Sequence, residues 1–157
     1  MKLYLSLHAE AEPLGPPEHD AARKIVDEGY DDIKRVGEFV TTKGPLKLGT
    51  IYHSHTVRAR VTAEGFAGHF DASGGVVEAD GLGPKDDLTD WIEKFRTSDE
   101  DIMICGHRPN LQRIAATLLT GDPTDDPVLY TRAGIACLER NDDGGWGVAW
   151  MVNPAMV

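Results

Sequence analysis

The chain has 157 residues, 41% hydrophobic and 27% charged, an ordinary balance for a single globular domain covering residues 1–157. Its 26 acidic residues against 16 Lys and Arg leave a net charge of −10, which argues against the basic footprint that nucleic acid or an anionic membrane surface requires. No apolar run approaches the ~18 residues of a bilayer span, and the start, Met1-Lys2-Leu3-Tyr4-Leu5-Ser6-Leu7, reads as a strand without a signal-peptide cleavage site, so a cytoplasmic location is expected.

Lys2–Leu7 alternates with period two, placing Leu3, Leu5 and Leu7 on one face. A Pro-rich loop, Pro13 to Pro17, precedes a helical pattern from about Asp20 to Val40, interrupted near Gly29. Leu48–His53 reads as a second strand, Val57–Phe70 as a helix, Val76–Ala79 as a third strand and Asp86–Phe95 as a further helix. Ile102–Cys105 is short and wholly apolar, the mark of a buried central strand, and it leads through Gly106-His107-Arg108-Pro109 into a helix ending near Leu119. Gly134–Glu139 and Trp146–Val152 flank Asn141-Asp142-Asp143-Gly144-Gly145, a hairpin turn by composition. The alternation predicts a three-layer α/β fold, a mostly parallel sheet with helices on both faces. The lone pair Cys105 and Cys137 reads as two buried thiols rather than a disulfide framework.

Sheets of this kind bind ligands where the carboxyl ends of strands meet loops. His8, Ser54 and His107 each fall just past a predicted strand, so one sheet edge should gather them. A metal reading of His8, His53, His55, His69 and His107 is weakened because His53 and His55 share a face only if the strand runs on past Ser54. A dinucleotide reading lacks a Gly-x-Gly-x-x-Gly run after the first strand.

Ser54-His55-Thr56-Val57-Arg58-Ala59-Arg60-Val61-Thr62 is similar to the motif Ser-Pro-x-x-Arg-Ala-x-Gln-Thr, and Gly106-His107-Arg108-Pro109-Asn110-Leu111 matches Gly-His-x-Pro-x-Leu in full. Weaker echoes are Arg23 through Gly29 and Leu82-Gly83-Pro84 with Asp86 and Asp87. In this order the chain resembles the histidine phosphatase superfamily, of phosphoglycerate-mutase-like fold, and by length its small SixA-like branch of phosphohistidine phosphatases. The first motif departs: where the family writes Arg-His-Gly, this chain has Leu7-His8-Ala9.

The resemblance implies that His8 attacks a phosphoryl group and becomes a phosphohistidine, with His107 and Arg58 holding the equatorial oxygens. Arg23, Ser54, Arg108 and Arg132 are further phosphate-binding candidates, Arg108 and Arg132 as replacements for the arginine lost at position 7; Arg60 should point elsewhere. The implied substrate is a phosphorylated protein, above all phosphohistidine, or a small phosphate ester, with no metal and no cofactor. Asp80, Asp86 and Asp87 stand by position as general-acid candidates, but none is assigned. The missing arginine favours a second reading, a phosphate- or phosphohistidine-binding protein without turnover.

Overall fold

The computed structural model describes residues 1–42 and 44–157. In chain order its elements are β1 (Lys2–Leu7), α1 (Asp27–Thr41), β2 (Lys47–Leu48), β3 (Ile51–His53), α2 (Val57–Ala67), β4 (Asp71–Ala72), β5 (Val76–Glu78), α3 (Thr89–Thr97), β6 (Ile102–Gly106), α4 (Asn110–Leu119), β7 (Ile135–Arg140) and β8 (Trp146–Val152). A six-stranded sheet runs β5-β3-β6-β1-β7-β8. Its first four strands are parallel; β7 runs antiparallel to β1 and forms a hairpin with β8. Gly144 supplies the positive φ, 88°, that the hairpin turn needs. β2 and β4 pair separately, as a small parallel ribbon.

The period-two alternation of β1 decides which side chains enter which layer. Leu3, Leu5 and Leu7, with Ile102 and Ile104, pack under α3 and α4 against Ile92, Phe95, Leu111 and Ile114. Tyr4, Ile51, Met103 and Cys105 face the other way, against Ile33 and Val36 of α1 and Ala63 and Phe66 of α2. Phe66 and Phe95, each wholly buried on opposite faces, each contribute about 2–3 kcal/mol of transfer free energy. The expected three-layer α/β architecture is the one observed, with both cysteines buried and unpaired. No described helix is long and apolar enough to cross a membrane.

Several boundaries differ from the sequence reading, each for a local reason. The helix expected from Asp20 begins only at Asp27. Residues Pro17–Ala22 form a short 3-10 turn, and Ile25 instead bridges Ala11. The Glu10 carbonyl accepts the Val26 N–H at 3.1 Å, so the chain entering α1 is stitched to the loop after β1. Leu48–His53 is split into β2 and β3, because the Gly49 N–H turns to the Asp101 carbonyl at 2.7 Å. Asp87 Oδ1 accepts both the N–H and the hydroxyl of Thr89, at 3.0 and 2.8 Å, and delays α3 to that residue. α2 stops at Ala67, three residues short of Phe70.

Candidate active site

Register, rather than chance proximity, brings the two histidines together. β1 and β6 are parallel neighbours paired to their last residues, Leu7 opposite Gly106. The next residue on each strand is a histidine, and the His8 N–H donates to the Gly106 carbonyl at 3.0 Å, extending the pairing one step. Their ring centroids lie 5.2 Å apart, tilted by 55°. On the other side of β6, His53 pairs with Cys105, so Ser54 emerges at the same edge.

Each ring is held. His8 Nδ1 lies 2.8 Å from the Ala9 carbonyl, which can only accept, so the proton sits on Nδ1 and Nε2 carries the lone pair, with no hydrogen-bond partner among the described residues. His107 Nε2 shares hydrogen bonds with the hydroxyls of Ser54 at 2.6 Å and Thr56 at 3.2 Å. Thr56 also caps α2, accepting from the Ala59 N–H at 3.3 Å. The first turn of that helix delivers Arg58, a guanidinium only 3% exposed. Thr62 ties the parts together: its hydroxyl donates to the Arg58 carbonyl at 2.7 Å and accepts from the Ala9 N–H at 3.0 Å.

Arg58 is engaged by Asp20, which accepts from Nη1 through its carbonyl (2.6 Å) and from Nη2 through its carboxylate (3.0 Å). Arg58 Nε is buried and finds no hydrogen-bond partner among the described residues. Arg23 donates to the same carboxylate at 3.0 Å and to the Glu12 carbonyl at 2.8 Å.

The sequence matches no family model, and no curated protein sequence matches it. Solved structures do. The protein histidine phosphatase SixA complexed with tungstate superposes with a TM-score of 0.81 at 17% identity, over 99% of this chain and 99% of that one. The alpha-ribazole phosphatase of Shigella flexneri gives 0.69 at 13% identity, over 98% and 97%. Phosphoserine phosphatase of Entamoeba histolytica, in complex with 3-phosphoglyceric acid, gives 0.65 at 15%, over 97% and 96%.

The fold is that of the histidine phosphatases. Within it, the two departures in the first motif are absorbed by the cores. Leu7 packs into the layer under α3 and α4, and Ala9, wholly buried, puts its methyl into the opposite layer.

Burial sets the electrostatics of the paired histidines. Loss of solvent pushes His8 down to about 4; the hydrogen bond to Ala9 opposes this, and the charges of Arg58, Arg132 and Arg23 add to it. Burial likewise pushes His107 down to about 3, with His8, Arg58 and His55 adding and Asp20 opposing. Burial works to raise the Asp20 carboxyl, but hydrogen bonds and charge from Arg58, then Arg23, outweigh it and hold it below the usual carboxylate range.

Of the residues singled out in the sequence, His8, Ser54, Arg58 and His107 converge, with Arg23 linked through Asp20. Arg132 lies beside the end of β1, in an isolated parallel bridge with Leu7, and pairs with Glu10. Arg108 is exposed and makes no polar contact among the described residues. Arg60 pairs with Glu64 on the surface. Asp80 and Asp86 are exposed, Asp86 accepting from the Gly83 N–H, and Asp87 accepts from Thr89. The five histidines of the metal reading do not converge: the His53 ring turns to the Ser54 carbonyl, His55 is exposed and His69 packs against Gly37.

Sequence reasoning missed Asp20, Glu10 and Thr56 as parts of the site. For Thr56 the signal was present, a hydroxyl two residues after Ser54 at a helix start. Asp20 gave only a faint one, its place three residues before Arg23.

Proposed function

We propose that this chain is a histidine-type phosphatase acting on phosphohistidine in proteins or on phosphoric monoesters, with His8 as the nucleophile. The observation that carries the reading is the His8 ring, locked through Nδ1 to the Ala9 carbonyl, with its other nitrogen unprotonated 5.2 Å, ring to ring, from His107 and beside a buried guanidinium. A pKa near 4 keeps that nitrogen a lone-pair donor at neutral pH.

In the first step the His8 Nε2 lone pair forms a bond to phosphorus as the P–N or P–O bond to the leaving group breaks. The departing atom keeps the electron pair and takes a proton from solvent. In the second, water attacks phosphorus, the P–Nε2 bond breaks and inorganic phosphate leaves. Arg58 and His107 stabilise the charge on the equatorial oxygens. The two carboxylates that contact the arginines of this site, Asp20 and Glu10, are each engaged in an ion pair. That favours a leaving group needing little help from an acid, as the imidazole of phosphohistidine does.

The test is turnover of a phosphohistidine protein and of p-nitrophenyl phosphate, with acid-labile phosphate trapped on the wild-type chain and absent from His8→Ala. Turnover that survives His8→Ala would remove the nucleophile from this reading. A second reading, a phosphohistidine binder without turnover, is favoured by Leu7, whose side chain donates no hydrogen bond and lies in the core. Binding of phosphate with no trapped phosphoenzyme would select it.

A further inference from the structure

A phosphoryl group in transfer spreads charge over three equatorial oxygens, and one guanidinium with one imidazole leaves that charge thinly matched. The end of β1 offers nothing more, since Leu7 is buried among apolar side chains. The next strand position in the sheet is different. Residue 132 forms a parallel bridge with Leu7, and the Ala133 N–H donates to the Leu7 carbonyl at 3.0 Å. Arg132 therefore springs from backbone one strand spacing, about 4.8 Å, from the residue that precedes His8.

Backbone geometry fixes it there. Ala133 is wholly buried and holds a left-handed φ of 54°, uncommon for a residue with a side chain. That turn, closed by Gly134 N–H to the Thr131 carbonyl at 3.0 Å, aims the Ala133 N–H at the end of β1. The Arg132 side chain is half exposed but not without a partner. It pairs with Glu10, two residues beyond His8. Its charge also reaches the His8 ring, ahead of Arg23 and behind only Arg58 among the arginines. Arg23 is tied to Asp20 and the Glu12 carbonyl, and Arg108 stands in solvent.

We infer that Arg132 is the second guanidinium of the phosphoryl site, doing from the neighbouring strand what residue 7 cannot do from β1, with Glu10 as its counter-ion in the free protein. This rests on the phosphatase reading, or at least on an anion site at His8. When the phosphoryl group arrives, Arg132 exchanges the Glu10 carboxylate for an equatorial oxygen, and Glu10 returns to water.

The test is calorimetric titration with tungstate, a tetrahedral oxyanion, alongside the rate of phosphoenzyme formation. Arg132 is half exposed, so Arg132→Ala should fold as wild type. It should weaken tungstate binding about tenfold or more and slow phosphoenzyme formation about 10²–10³-fold, with Arg132→Lys recovering part of the binding. Glu10→Gln should tighten tungstate binding, because the competing carboxylate charge is gone; an ornamental surface pair would give no change. Wild-type affinity and rate in Arg132→Ala would overturn the assignment, while loss in Arg58→Ala under the same conditions would leave the phosphatase reading standing. A wild-type protein that binds no tungstate would overturn both.

Discussion

Asp20 fills the fork of Arg58, taking one guanidinium nitrogen with its carbonyl and another with its carboxylate. Those are the donors a phosphoryl oxygen would seek, and Arg23 completes the same cradle from the other side of the carboxylate. In the free protein the proposed anion site is therefore closed by an anion of its own.

Asp20→Asn keeps the carbonyl contact and removes the competing charge. Because the Asp20 side chain is about one-third exposed, the gain is that of a screened pair, roughly 0.2–1 kcal/mol, or about 1.4- to fivefold tighter binding of inorganic phosphate. Calorimetric titration of the variant measures it. Weaker binding would mean instead that Asp20 serves to hold Arg58 in place.

Acid should destabilise this protein through its own site. His8 and His107 have folded values of about 4 and about 3, below the ordinary 6.5. Between 6.5 and those values the unfolded chain binds more protons than the folded one, so stability falls as pH drops through that window and is flat above it. The groups that face the pair are Arg58, Arg132 and Arg23 on His8, and Arg58, Asp20 and His55 on His107; the cations reinforce the shifts and Asp20 opposes that on His107. Asp20, itself held low, loses its contribution at the acid end of the same window. His8 alone accounts for about 3 kcal/mol. Denaturant unfolding from pH 7 to 4 should show the decline, and His8→Asn should make it shallower. NMR titration should find both rings neutral at pH 6; a midpoint near 6.5 for either would contradict the burial argument.

The convergence of His8, Ser54 and His107 was legible because strand ends in a parallel sheet share one edge, and short apolar runs mark such strands well. The helix boundary was not. Ala22, Ile25 and Val26 fit a helical spacing, yet Ile25 is spent on a bridge with Ala11 and Val26 on the Glu10 carbonyl. Tertiary hydrogen bonds that override local periodicity leave no trace in the spacing. Asp20 was hidden for another reason: in a chain this acidic, one more carboxylate in an exposed loop looks solvated until its arginine partners are seen. Arg132 was visible as a candidate to replace the arginine missing at position 7, but that it lies directly beside that position is a matter of sheet register that only the β-bridge reveals.

Ser54 steadies His107 through a 2.6 Å hydrogen bond in a place where almost no solvent reaches either residue. Ser54→Ala leaves Nε2 with the longer Thr56 contact alone. The expected cost is about 1–3 kcal/mol of stability, the penalty for a buried polar atom losing its main partner. Phosphoenzyme formation should slow as well, since the ring is freer to turn. Denaturant unfolding and single-turnover kinetics read the two effects separately, and an unchanged Cm would show that Thr56 suffices.

Gly29 links the fold to the site more directly than its place on α1 suggests. A β-carbon there would lie 2.5 Å from the Glu10 carbonyl oxygen and 2.7 Å from the Ile25 side chain, and a carbonyl stitched to Val26 has little room to yield. Gly29→Ala should therefore destabilise by about 1–3 kcal/mol through overpacking, even though alanine is the better helix former. The backbone it pushes carries Glu10, the partner of Arg132, and lies two residues from His8. Tungstate affinity should accordingly change in Gly29→Ala, whereas an equally destabilising change on the buried face of α3, such as Phe95→Leu, should leave it alone. Equal effects of the two variants on affinity would mean that Gly29 matters to the site only through global stability.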